Sequence, residues 1–352
     1  MNLDGLIGQS GEWLKGSGPE SDIVISSRVR LARNLAAFPF LTKATEEQRG
    51  EIHRTVRAAL AKVGLAENGH LYVELGNSND LTSRFLLERH LISRELLNGS
   101  GDRGVLFNET EMLAVMVNEE DHLRLQAIRA GFQIHEAYAD ILPIDERLDR
   151  DIEFAFSEDL ASFTACPQTV GAGRRASDML LLPALVFTRQ IDKVFASVTK
   201  INLAVRGLYG EGTQASGDFY QISNQVTLGI GEEEVLDLIS RVVPKIVAYE
   251  REVRDHLVAK DRTRLEDKVW RAYGLLQAAR TISSEETMDL LSAVRLGVNL
   301  GLLGNVDIST VNELFILTQP AHLQRLEKRD LSPHERDSTR AEFIRKHLGL
   351  SN

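Results

Sequence analysis

The 352-residue chain has one cysteine, Cys166, so it cannot build an internal disulfide framework and fits a reducing cytoplasm. Long apolar runs are also missing. The longest, Met179 to Phe187, contains Pro183 and falls far short of the roughly 20 residues that a spanning helix needs. The first residues include Asp4 and Glu12 and lack the apolar stretch of a signal peptide. There is no glycine loop ending in Gly-Lys-Ser/Thr, nor the lysine and catalytic loop of ordinary protein kinases. A nucleotide would have to be held by other means. Basic charge is in deficit, with 41 Lys and Arg against 51 Asp and Glu and a net charge of −10, which disfavours non-specific nucleic-acid binding. No internal repeat, low-complexity tail or basic tract interrupts the chain.

What is present is an ordinary globular composition, 43% hydrophobic and 26% charged, long enough for one large and one smaller domain. Thr45 to Gly64 reads as an amphipathic helix: Thr45-Glu46-Glu47-Gln48 is a capping box, and Ile52, Val56, Leu60 and Val63 share a face. Strand-like runs follow at Leu71–Leu75, Val105–Asn108, Leu113–Asn118, Phe132–Tyr138, Ile201–Leu208 and Phe219–Leu228, with a short helix opening at Pro183. Successive strands with few crossover helices predict an α+β fold built on a mainly antiparallel sheet. From Glu232 the spacing turns helical, with a kink expected at Pro244. Helix starts are marked at Ser283-Ser284-Glu285-Glu286, Thr310-Val311-Asn312-Glu313 and Ser332-Pro333-His334-Glu335. The division is expected near residues 250–262, giving a sheet domain over 1–255 and a helical domain over 256–352.

Asn118-Glu119-Glu120-Asp121-His122 ends the run Leu113-Ala114-Val115-Met116-Val117, which reads as a half-buried strand. Adjacent carboxylates at a strand end are costly to desolvate without a cation, so they suit a site for something positive; a polar turn is the plain alternative. In Ser26-Ser27-Arg28-Val29-Arg30 the period of two puts both guanidinium groups on one face of an extended segment. Arg124 follows the acidic cluster, Arg175 closes Cys166-Pro167-Gln168-Thr169-Val170-Gly171-Ala172-Gly173-Arg174-Arg175, and Arg206 opens Arg206-Gly207-Leu208-Tyr209-Gly210-Glu211. Motifs of this kind in this order resemble the guanidino (phosphagen) kinases, and the resemblance implies their catalytic fold. The early arginine pair and the helical C-terminal part are similar to the bacterial protein-arginine kinases of the McsB type. In them the helical domain ahead of the arginine pair in free-substrate phosphagen kinases is missing, which leaves the acceptor side open.

The resemblance implies ATP with Mg²⁺ as cosubstrate, clamped by Arg28, Arg30, Arg124, Arg175 and Arg206, whose planar forks suit phosphate oxygens. It assigns Glu120 and Glu211 to gripping and deprotonating the acceptor guanidinium, and places Cys166 beside it, although a lone cysteine is otherwise most often a small buried apolar residue. Asp121 and His122 are expected to shape the turn and support Mg²⁺ through water, with no direct metal ligand. Arg336 and Asp337, on the helix capped by Ser332, match a phosphoarginine-binding pair; an exposed ion-pair network is the alternative. Also implied are protein substrates with exposed arginine, a zinc-binding activator, a heat-shock repressor, a Clp ATPase and protease, a homodimer or higher oligomer through the helical domain, and no membrane or direct nucleic-acid partner. A weakly catalytic phosphoarginine adaptor and a kinase for a free small guanidine stay open. Departures from the family pattern fall at Gln168, Thr169, Ala172, Arg174 and Asp178; an added carboxylate at Asp178 is expected to weaken nucleotide binding.

Overall fold

The structure, a computed structural model, describes residues 2–65, 69–76, 80–157, 161–166, 171, 173–208, 216–225, 227 and 232–349. Its strands are β1 (Val24–Arg33), β2 (His70–Glu74), β3 (Gly104–Asn108), β4 (Leu113–Val117), β5 (Leu123–Ala130), the short pair β6 (Phe156–Ser157) and β7 (Ala161–Ser162), β8 (Arg174–Leu181), β9 (Leu203–Arg206) and β10 (Phe219–Asn224). The helices of the sheet region are α1 (Glu46–Lys62), α2 (Asp80–Glu88), α3 (Arg94–Asn98), α4 (Ile134–Asp151), α5 (Pro183–Phe187) and α6 (Ile191–Thr199). Helices α7 (Glu232–Lys260), α8 (Arg262–Ala278), α9 (Ser284–Asn299), α10 (Ile308–Leu317), α11 (Pro320–Glu327) and α12 (Pro333–His347) follow.

Eight strands form one sheet in the order β2-β3-β4-β5-β1-β8-β10-β9, and every neighbouring pair is antiparallel. This is the expected sheet. One face is covered by α4 and α7, whose contacts reach β1, β5, β8 and β10. On the other face, α2 packs Phe85 and Leu86 against Val105, Phe107, Ala114 and Met116. The run Leu113–Val117 is therefore buried on both sides rather than half-buried: Leu113, Val115 and Val117 join the main core while Ala114 and Met116 join the second.

Two expectations are corrected. Phe132–Tyr138 is not a strand. The strand is β5, which ends at Ala130, and Gly131 (φ +68°) turns the chain where an added Cβ would lie 2.6 Å from the Pro19 carbonyl oxygen. The chain then enters α4, whose buried positions Ile134, Ala137, Ile141, Asp145 and Leu148 follow helical spacing. Helix α10 starts at Ile308, ahead of the signal at Thr310. The capping boxes at Thr45 and Ser332 form as read. Helix α7 runs through the expected division to Lys260, and Asp261 leads into α8. Arg295 on α9 is buried and donates to the Ser21 and Asp22 carbonyls, tying the helices to the segment before β1.

Candidate active site

Five adjacent strands, β5, β1, β8, β10 and β9, aim side chains into one cleft. On β1, the residue alternation puts Arg28 and Arg30 on the same face, with Val29 and Leu31 turned to the core. Arg175 of β8 stands opposite Arg30 in register, Arg124 of β5 lies opposite Ala32, and Arg206 of β9 lies opposite Gln221 of β10. All five arginines line the cleft, together with Glu120 and Cys166. The geometry brings together every sequence-designated residue of this group that it describes. Glu211, with Gln168, Thr169 and Ala172, lies outside the described residues.

The electrostatics suit a polyanion. Burial, reinforced by Arg175, Arg124 and Arg206, brings Arg28 down to about 10. Burial, with Arg28, Arg124 and Arg175, pulls Arg30 well below its usual range, and its Nε is buried without a hydrogen-bond partner among the described residues. Arg28 Nη2 donates to Gln221 Oε1 at 2.9 Å. For Arg124, burial pulls down, but Glu119, Glu120, Asp121 and Glu95 outweigh it and carry the group upward. Its Nη1 donates to Glu119 Oε1 at 2.6 Å and its Nη2 to Glu120 Oε2 at 3.1 Å. Mutually repelling guanidiniums, with the Arg30 Nε unpaired among the described residues, match the phosphate oxygens of a nucleotide, so the residues fit ATP.

The two glutamates play different structural parts. The Glu119 side chain is fully buried and accepts from Ser93 Oγ (2.5 Å), Arg124 and the Glu120 N–H (2.7 Å). The Glu120 side chain is 45% exposed at the mouth, where it can meet an incoming cation.

Asp121 and His122 do not reach the cleft surface. Both are 0% exposed. Asp121 Oδ1 accepts from Asn34 Nδ2 and from the Ala165 N–H, each at 2.6 Å, which ties the β4–β5 turn to the loop carrying Cys166. The Leu35 N–H donates to His122 Nδ1 at 3.0 Å, so the ring proton belongs on Nε2, where the Pro39 carbonyl accepts it at 3.0 Å. The turn-shaping half of the expectation holds; support of Mg²⁺ through water does not fit such burial. Nor does Asp178 crowd the nucleotide clamp. Alternation along β8 turns Arg174 and Asp178 to the α4 face, away from Arg175, and the Arg174 guanidinium lies 3.7 Å from the centre of the Tyr138 ring.

Some lining residues went unread in the sequence. His90 faces the cleft just past α2 with φ +58°, and burial, then Arg28 and Arg30, lowers it to about 3. Ser93 and Glu95 line it from the start of α3. A histidine two residues past a helix end carries no spacing signal, so only the sheet could reveal it. The second designated pair sits on the first turn of α12. Arg336 Nη1 donates to the Leu331 carbonyl (2.9 Å), and Asp337 Oδ1 accepts from Arg340 Nη1 (2.6 Å).

Residues 51–253 match the family model described as ATP:guanido phosphotransferase, C-terminal catalytic domain, and residues 262–352 match the one described as Protein-arginine kinase McsB C-terminal domain. The "Protein-arginine kinase" of Desulforamulus reducens is 46% identical over 346 residues, covering 97% of this chain and 96% of that protein. That of Moorella thermoacetica is 43% identical over 350 residues, covering 99% of each. Among solved structures, lombricine kinase shares the fold at a TM-score of 0.59 and 24% identity, over 70% of this chain and 69% of that one. The duplicated taurocyamine kinase of Schistosoma mansoni does so at 0.60 and 24%, over 70% of this chain and 36% of that one. With both halves of its length matched and full-length relatives above 40% identity, the chain belongs to the protein-arginine kinase family of ATP:guanido phosphotransferases.

Proposed function

We propose that this protein transfers the γ-phosphoryl group of ATP to arginine side chains in proteins. The observation that carries the reading is the junction at Arg124. One guanidinium faces the cationic cleft suited to phosphates while holding the half-exposed Glu120 at its mouth. A guanidinium acceptor is a poor nucleophile because its pKa lies above about 12. Glu120 grips it, aligns one nitrogen with the phosphorus and takes the proton released as the N–P bond forms and the bond to ADP breaks. Arg28, Arg30, Arg124, Arg175 and Arg206 hold the phosphates in line, and Glu211 completes the acceptor grip. Mg²⁺ bound with the nucleotide would neutralise part of its charge. Positioning of this kind is worth about 7–11 kcal/mol of barrier.

The same reading assigns phosphoarginine binding to Arg336 and Asp337, and homodimerisation to the helical domain. In the cell, the mark directs damaged proteins or a heat-shock repressor to a Clp protease, with a zinc-binding activator. This reading places the chain in the cytoplasm; among the described residues, no helix is long and apolar enough to cross a membrane. Similarity along the whole chain to proteins named protein-arginine kinase supports the acceptor.

Incubation with Mg-ATP and an unfolded arginine-rich protein, beside free L-arginine, tests it. Acid-labile N-phosphate on the protein, read by phosphorus NMR and neutral-pH mass spectrometry and lost in Glu120→Ala, is expected. Turnover that saturates on free arginine alone would replace the protein acceptor with a small guanidine.

A further inference from the structure

Asp178 is 0% exposed in the middle of the sheet, on the face opposite the arginines. It stands opposite Ser27 of β1, one residue from Arg28, and three residues along β8 from Arg175. Its Oδ1 is hydrogen-bonded to Ser27 Oγ, and its Oδ2 is buried without a partner among the described residues. Ser27 Oγ also lies 3.1 Å from the Gly131 carbonyl and accepts the Gln133 N–H at 2.8 Å.

The proton count decides between two states. The serine hydroxyl has one hydrogen, so it cannot serve the Gly131 carbonyl and an ionised Asp178 together. If the carboxyl carries the proton, it donates to Ser27 Oγ, the serine donates to Gly131, and each contact is satisfied. The uncovered Oδ2 is then a neutral oxygen rather than half of a buried anion, which costs far less.

Among the described residues, nothing around the group supplies a compensating cation. Across β10 its register partner is Ile222. On β8, Arg174 is stacked on Tyr138 of α4. On β1, Arg33 is paired with Asp145 of α4, and on β5, Arg129 is paired with Asp140 of α4. His135 of α4 bonds Ser240 of α7. The buried residues of α7 nearest its start, Val235, Leu236 and Ile239, are apolar, while its Glu233, Glu234 and Asp237 are exposed.

We infer that Asp178 is held as a neutral carboxylic acid donating to Ser27, and that this bond positions the β1–β8 pair carrying Arg28 and Arg175. Asp178 is thus a positioning residue for nucleotide binding, and this second half rests on the function proposed above. Burial raises the carboxyl to about 7 against the lowering by Ser27, so the acid gives up its proton around neutral pH. The folded state binds more protons than the unfolded one between the ordinary carboxyl range and about 7. Stability therefore drains as pH rises across that interval and levels off above it. Ionisation removes the donor to Ser27, and the clamp loosens at alkaline pH.

Thermal unfolding and ATP titration of the full chain across neutral pH, for wild type and Asp178→Asn, test this. The amide keeps a donor to Ser27 and has no charge to gain. The wild type should lose stability relative to Asp178→Asn as pH rises toward 7, and should weaken several-fold for ATP above neutrality while the variant's profile stays flat. Infrared spectra of the wild type, which need no variant to fold, should show a protonated-carboxyl band that fades as pH rises. Parallel profiles and no titrating band would overturn the inference. Failure to bind ATP at any pH would instead sink the kinase reading, and the infrared and stability results would still separate the two.

Discussion

Arg30 lies half-buried among Arg28, Arg124 and Arg175, each of which lowers its affinity for a proton. A residue held against repulsion in the free protein is stabilised when an anion enters between the charges. Arg30→Ala should therefore weaken ATP by about 2–3 kcal/mol, the worth of charge-assisted hydrogen bonds, without lowering thermal stability in nucleotide-free buffer. Calorimetric titration beside a melting curve checks both parts, and a large fall in melting temperature would mean that Arg30 is structural. The pair Arg28 and Arg30 was legible because period-two spacing needs no tertiary information. For Asp121 and His122 only the turn-shaping half of the reading fits their burial, because composition cannot tell a cleft wall from the interior behind it. His122 titrates accordingly. Burial, against the Pro39 hydrogen bond, lowers it to about 4, so the unfolded chain takes up this proton first as the solution is acidified. Stability from this group is complete above about 6.5 and is lost as pH falls from there to about 4, on the order of 3 kcal/mol in all. Replacing His122 with Asn should flatten that limb of the pH–stability curve.

At the scale of elements, capping boxes and helical spacing located α1 and α12, since both signals are local. The failure at α4 has an equally local cause. Phe132, Ile134 and Tyr138 imitate a strand, and only Gly131, which must turn under the Pro19 carbonyl, separates them from β5. What no local pattern showed is the clasp between α2 and α11. Glu88 ends α2, and its carboxylate accepts the Ala321 N–H at 2.8 Å and the His322 N–H at 3.1 Å, so it caps a helix more than two hundred residues away. It also bonds His322 Nδ1 at 2.7 Å, and His322 is fully buried. The next residues, His90 and Ser93, line the candidate active site. Glu88→Ala uncovers two helix N–H groups and a buried imidazole. A loss of about 1–3 kcal/mol is expected. Because α2 leads straight into the cleft, ATP binding should weaken in the same variant, while Glu88→Gln, which can still accept, should recover part of both.

For the molecule as a whole, one apolar core runs from the sheet through α7 into α8, α9, α10 and α12. The net charge of −10 coexists with a cleft whose arginines are gathered from β1, β5, β8 and β9. The motifs gave the arginines of that cleft, but their convergence depends on strand order, which no spacing in the chain encodes. The same distinction separates the residues of α12. Arg340 is 1% exposed, and its Nε donates to the Thr318 carbonyl (2.8 Å) and its Nη1 to the Ile282 carbonyl (2.7 Å), so it joins α12 to the end of α10 and the start of α9. Asp337 lies one turn away, with its side chain 39% exposed, and Arg336 bonds only the Leu331 carbonyl among the described residues. Arg340→Ala should cost about 2–4 kcal/mol, because it strands the buried Thr318 and Ile282 carbonyls, while the half-exposed Asp337 is left to water. Arg336→Ala should shift stability by no more than about 1 kcal/mol and yet abolish binding of a phosphoarginine peptide, if the α12 pair is a docking site. Melting curves and peptide titrations on the two variants separate the roles: a stable Arg336→Ala protein that still binds the peptide would move the docking site elsewhere, and a stable Arg340→Ala protein would leave the α9–α10–α12 junction held by its apolar contacts alone.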